Sequence, residues 1–202
     1  MKQLFIISIV TILLISCGQK QRNYNSEKSG SIKIDTVENT IAEKKLKTQL
    51  REYLIALSAE EIDIALSYLY GLPDILEYMK LNFPDEHIDE EVVRNIIFSQ
   101  IRELNKLVKE KKLSYEFEIG DIIKEVKYEK NHLYIVMLYL NVKEKLDKHS
   151  IGSKIISISN DNGQNWNFFT YDPYDPETFM IVTSVLKMRF PQDIVDKLFS
   201  KE

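Results

Sequence analysis

Eight apolar residues in a row, Leu133 to Leu140 (LYIVMLYL), restrict the possible folds of this 202-residue chain more than any other feature. A strand with one wet face alternates polar and apolar residues, whereas a run without a polar break belongs to a central strand covered on both sides. Even positions give Tyr134, Val136, Leu138, Leu140 and Val142, an apolar set suited to packing under helices. Odd positions give Leu133, Ile135, Met137, Tyr139 and Asn141, apolar but for the last. A single layer of helices would leave the odd face as an exposed apolar patch, which is uncommon on a monomer. A second cover is therefore predicted. It is either the C-terminal helices carrying Phe179, Val182, Leu186, Ile194 and Leu198, or a second subunit in a symmetric pair, a homodimer.

The flanking patterns supply the other elements. Thr40-Ile41-Ala42-Glu43 has the spacing of a capping box, and Leu46, Leu50, Tyr53, Leu54 and Leu57 follow on one helical face. Ser58-Ala59-Glu60-Glu61 repeats that signal ahead of Ile62, Ala65, Leu66 and Leu69. Gly71 ends this stripe, Pro73 opens a short helix bearing Ile75, Leu76 and Met79, and Pro84 closes it. Asp89 caps a longer helix with Val93, Ile97, Ile101, Leu104 and Val108 on its face, and Lys109, Lys111 and Lys112 suit its C-terminal dipole.

From Leu113 the period changes to two. Strands are expected at 114–119 and again beyond Gly120, at 133–140, around 155–159 and around 166–171. Two short helices follow Asp175-Pro176 and Pro191. The expected fold class is α+β: N-terminal helices packed on a curved, cone-like antiparallel sheet of about four strands. With 44% hydrophobic residues the chain can bury a sizeable core, and a net charge of −4 argues against a nucleic-acid partner.

The N-terminus points to an address. Lys2 precedes an apolar run from Leu4 to Ile15, too short for a helix spanning ~30 Å of bilayer, which needs about 20 residues. The run ends in Leu14-Ile15-Ser16-Cys17-Gly18, which resembles a bacterial lipobox, where the cysteine is acylated and becomes the mature N-terminus. That resemblance implies a signal peptide over 1–16, an acylated anchor at Cys17, a polar tether over 17–36 and a single domain over 37–202. It also accounts for the one cysteine in the chain. Gly18, Gln19, Lys20, Gln21 and Arg22 contain no acidic cluster, which favours a periplasm-facing position on the outer membrane over the cell surface.

Among chemistry-bearing motifs, Ser159, Asp161, Gly163 and Trp166 fit S-x-D-x-G-x-x-W, which resembles the Asp-box of sialidases and other propellers. Its physical role there is to lock a hairpin, with the serine and aspartate accepting turn amides, the glycine left-handed and the tryptophan packed alongside. Sugar recognition is the competing use. Asp161, Asp172, Asp175 and Glu177 are oxygen donors without EF-hand spacing, and a helix cap is the simpler use of Asp175. His87, His132 and His149 lack metal-ligand spacing, so neither a metal nor a cofactor is expected. Nucleophile-elbow, P-loop, dinucleotide-fingerprint and C-x-x-C motifs are missing. Tyr115, Tyr134 and Tyr139 are candidate pocket residues, and Tyr128, His132 and Asp121 complete the raw material for acid–base work. No spacing singles out a catalytic pair, so the catalytic residues are unassigned.

The order of elements, and above all LYIVMLYLNV followed by KIISISNDNGQNWNFF, resembles small bacterial lipoproteins with the cone-shaped fold of the nuclear transport factor 2-like superfamily. One departure is plain: that fold commonly has a strand pair between its early helices, and none is legible here. The resemblance implies a lipid-anchored envelope protein whose domain binds a small apolar ligand or a protein partner without catalysis. The alternative is a cone-fold isomerase, cyclase or hydrolase acting on a hydrophobic substrate, and an inhibitor or immunity-type lipoprotein is a third reading.

Overall fold

The computed structural model describes residues 38–82, 84, 87–92, 94, 95, 99, 102, 105, 106, 110, 114–144, 147–171 and 176–200. The signal segment, Cys17 and the tether lie outside the described residues. So do Asp172, Asp175 and the apolar and basic positions assigned above to the helix after Asp89.

Helix α1 (Glu38–Ser58) buries Leu46, Leu50, Tyr53, Leu54 and Leu57, the stripe its periodicity marks. It has already begun at Glu38, so Thr40 lies inside its first turns and not at a capping position. The second expected capping box is also corrected. The Ser58 hydroxyl donates back to the Leu54 carbonyl at 2.8 Å, and α1 closes through Glu60 at φ 59°. Glu60 N–H reaches Leu57 O at 3.1 Å and Glu61 N–H reaches Ala56 O at 2.8 Å, the paired bonds of a left-handed helix cap. Helix α2 (Ile62–Ser67) then starts without a side-chain cap. Gly71, at φ +65°, turns the chain into α3 (Leu72–Asn82). Asp89 does cap: its Oδ1 accepts Val92 N–H at 2.9 Å, and residues 90–92 are helical.

Four strands follow: β1 (Ser114–Tyr128), β2 (Asn131–Glu144), β3 (Asp147–Ser159) and β4 (Asn167–Tyr171). They form a curved, unclosed antiparallel sheet in the order β1-β2-β3-β4, which makes the protein α+β. The two stretches expected either side of Gly120 are one strand, bulged between Ile119 and Ile122 and again between Ile122 and Lys124. Strand β3 begins well before Ile155. Its KHSIGSK stretch carries no period of its own, yet it pairs position for position with Met137 to Lys143.

Both faces of β2 are covered near its start. Tyr134, Val136 and Leu138 pack with Leu46, Leu50 and Leu54 of α1, and Ile155 and Phe168 join the same core. On the other face Leu133, Ile135, Ile156 and Ile158 pack against α4 (Pro176–Lys187) and α5 (Gln192–Phe199), through Val182, Leu186, Ile194, Val195 and Leu198. The expected second cover is therefore supplied by the chain's own C-terminal helices. Phe179 departs from that expectation, since it is 36% exposed and meets Phe199 edge-on at 5.0 Å.

Two links fix the flanks. Tyr70 N–H donates to Phe168 O at 3.0 Å and Phe168 N–H to Tyr68 O at 2.7 Å, so the α2–α3 connection covers the outer edge of β4. Apart from this bridge at Leu69, no strand lies between the early helices among the described residues. Asp74 of α3, almost fully buried, takes a forked pair from Arg189 (Nη2 to Oδ1 at 2.7 Å, Nε to Oδ2 at 3.0 Å), tying α3 to the α4–α5 bend.

Candidate functional site

A cleft of about 920 Å³ opens between α1 and β1, the size of a small-molecule site. Its α1 wall is the stripe Lys47, Arg51, Leu54, Ile55, Ser58 and Ala59, which runs beside the core stripe and is rotated from it by one residue. Opposite it lie Tyr115, Phe117 and Ile119, whose partners Val142, Leu140 and Leu138 show that all three point toward α1. Glu116 and Glu118 belong by parity to the other face and meet the cleft along the β1 edge, with Asn141 Nδ2 donating to Glu118 Oε2 at 2.9 Å.

One end of the cleft is tied shut. Tyr115 donates its hydroxyl proton to Asn105 Oδ1 at 3.1 Å, and Asn105 Nδ2 donates to Ser58 O at 3.3 Å and Glu60 Oε1 at 2.9 Å. At the other end Lys47 and Arg51 have no hydrogen-bond or ion-pair partner among the described residues. Ile55, between the two ends, is 58% exposed.

The three candidate pocket tyrosines do not converge. Tyr115 lines the cleft. Tyr134 is fully buried far along the same face, and its hydroxyl donates to Glu125 Oε1 at 2.8 Å. Burial first, and then that carboxylate, push its pKa up. Tyr139 is on the opposite face, half-buried, with its ring between Gly120 and Gly152 of the neighbouring strands. Of the three, Tyr115 alone is among the residues lining this cleft. Of the remaining raw material, Tyr128 packs on the α5 side and Asp121 is exposed at the bulge.

The Ser159–Trp166 segment is a closed hydrogen-bond unit. Ser159 Oγ donates to Asp161 Oδ1 at 2.8 Å and accepts Gly163 N–H at 2.9 Å. Asp161 Oδ1 also accepts the amides of Gln164 at 3.1 Å and Asn165 at 2.9 Å, and Asn165 Nδ2 donates to its Oδ2 at 2.6 Å. Burial opposes the Asp161 charge, but these donors outweigh it and hold the carboxyl below its ordinary value. Trp166 is buried beside Tyr134, ring centroids 5.0 Å apart, and its Nε1 donates to Gly163 O at 3.1 Å. Helix α1 grips this unit from outside: Gln49 accepts Trp166 N–H at 2.7 Å and donates to Gln164 O at 3.0 Å, and Lys45 bonds the Gln164 side chain. With both oxygens accepting from donors of its own turn, the carboxylate of Asp161 offers little to an outside ligand.

His132 stacks on Tyr134 at 5.9 Å, while His87 is exposed beside Asp89, 3.4 Å away. Among the described residues no group of three or more His, Cys, Asp or Glu side chains gathers to hold a metal, and no helix is long and apolar enough to cross a membrane. Sequence reasoning missed the Lys47–Arg51–Ile55 stripe and the Gln49 bracket. The legible signal was a polar residue at position 49 set between buried Leu46, Leu50 and Tyr53. Comparison with protein-family models, with curated proteins and with solved structures finds no match.

Proposed function

We propose that the chain is a lipid-anchored protein of the bacterial cell envelope, facing the periplasm from the outer membrane through acylated Cys17. Its α+β domain binds a small apolar ligand in the cleft between α1 and β1 and catalyses no reaction. The observation that carries the binding role is the cleft itself, with Leu54, Ile55, Phe117 and Ile119 offering apolar surface in a space of ligand size. Its titratable groups support binding over catalysis. The Tyr115 hydroxyl is committed to Asn105 and Glu118 accepts from Asn141, while Glu116 belongs by parity to the other face of β1 and meets the cleft only along its edge. Membership of the nuclear transport factor 2-like superfamily is part of the proposal, supported by helices lying on a curved four-stranded sheet.

Two measurements test it. Intact mass and fractionation of the mature protein should show acyl chains on an N-terminal Cys17, with Cys17→Ala giving a non-acylated precursor. A water-soluble wild type that begins before Cys17 overturns the anchoring claim. For binding, a fluorescent apolar probe should be retained by the mature chain and lost when Ile55 becomes Asp. A probe bound equally by both proteins places the ligand elsewhere.

A further inference from the structure

The α1 wall of the cleft is polar at one end and apolar at the other, and this gradient specifies more than a generic apolar ligand. Lys47 and Arg51 sit one helical turn apart on the cleft-facing stripe. Neither has a partner among the described residues. The next turns of that stripe are Leu54, Ile55, Ser58 and Ala59, apolar or small, with an isoleucine left 58% exposed. The direction of β1 follows from the Tyr115–Asn105–Ser58 tie, which puts Tyr115 at the C-terminal end of α1 and Ile119 toward the cations. The cations therefore mark the open end and Tyr115 the closed one.

We infer that this cleft takes a single-chain amphiphile with an anionic head, a carboxylate of the fatty-acid type, its head between Lys47 and Arg51 and its tail directed toward Tyr115. The inference rests on the binding role proposed above and deepens it. Two unpaired cations at one mouth favour an anion, because a forked guanidinium and an ammonium together satisfy a carboxylate. Glu116 and Glu118 meet the same cleft along the β1 edge, but neither forms an ion pair with Lys47 or Arg51 among the described residues. Both glutamates lie by parity on the opposite face of β1, and Glu118 is held by Asn141. At the tail end Tyr115 is hydrogen-bonded and the floor is Phe117, Leu54 and Ile55, with the Glu116 carboxylate at the exposed β1 edge. An apolar chain buries surface along this floor while its head stays at the wet mouth.

The experiment is calorimetric titration of the full mature chain with dodecanoate, dodecanol and dodecyltrimethylammonium, each kept below its micelle concentration. Dodecanoate should bind most tightly, and added salt should weaken it. The Lys47→Gln, Arg51→Gln double variant should lose about tenfold in dodecanoate affinity while dodecanol is unchanged. Both positions lie outside the buried core, so a variant with wild-type circular dichroism and melting temperature is expected. Ile55→Ser should weaken dodecanoate and dodecanol alike. Equal affinity for all three amphiphiles, or a double variant that binds dodecanoate as the wild type does, refutes the anionic-head assignment and leaves the apolar-ligand reading standing. Binding of none of the three defeats both.

Discussion

Gly163 and Ala42 stand so close that a Cβ built on the glycine would lie 2.6 Å from the Ala42 Cβ. The glycine also sits at φ +79°, in the left-handed region, so two independent constraints meet at one residue of the hairpin turn. Through this contact the start of α1 rests directly on the β3–β4 connection. Gly163→Ala should therefore destabilise the domain by more than about 1 kcal/mol in chemical denaturation. Adding Ala42→Gly should recover only the steric share, because the backbone strain persists.

Asp161 links the same turn to pH. Its carboxyl is held below its ordinary value in the folded chain, so the stabilisation is present above the unfolded value of about 4 and is lost as pH falls through the folded one. The melting temperature of the wild type should drop on acidification from about pH 5 to about pH 2. Asp161→Asn should start lower and show a shallower drop over that range. Parallel curves for the two proteins would sink this account.

Trp166, the one tryptophan of the chain, reports on the hairpin directly. It is 1% exposed against Tyr134 and His132, so its fluorescence should be blue-shifted relative to the unfolded protein. Trp166→Ala should cost about 3–5 kcal/mol. Retention of the wild-type melting temperature together with loss of glycan binding would instead assign the segment to sugar recognition.

Two strand glycines should respond in opposite ways to the same substitution. A Cβ at Gly120 would stand 2.8 Å from Tyr139 Cε2 and 3.1 Å from Met137 Cβ, whereas one at Gly152 would meet Tyr139 Cε1 at an ordinary 3.5 Å. Gly120→Ala should lower stability by about 1–3 kcal/mol through overpacking. Gly152→Ala should raise it by about 0.4–1 kcal/mol through reduced freedom of the unfolded chain. Thermal melts of the two variants decide the matter.

Alkaline titration tests the tyrosine environments. Tyr70 is pushed up to about 12 by burial, with the Asp74 charge adding to it, and Tyr68 to about 12 by its hydrogen bond to Glu52, with burial second. Burial moves Tyr53 in the same direction and further. A raised folded value means stabilisation that is complete below about pH 10, the ordinary tyrosine value, and is lost as pH rises through about 12. Tyrosinate absorbance should therefore lag behind that of an unfolded control and rise together with loss of circular dichroism. Full ionisation of these tyrosines by pH 11 in a folded protein would contradict their assigned surroundings.

Period and parity carried most of the fold. The α1 core stripe, the two covered faces of β2 and the turn at Asn162-Gly163 all follow from local spacing, because each depends on which way neighbouring side chains point along one element. The C-terminal cover was legible for the same reason: an apolar odd face at Leu133 and Ile135 needed Val182, Leu186, Ile194 and Leu198. What only the tertiary structure decided are relations between elements far apart in sequence. The reach of β3 back to Asp147 is imposed by pairing with β2, since KHSIGSK has no alternation to announce a strand. The separation of Tyr115 from Tyr139 depends on strand parity combined with which helix covers which face. The cleft depends on how α1 lies over β1, which places Lys47 and Arg51 at one end and Asn105 across the other, and no single-element pattern encodes a gap between two elements.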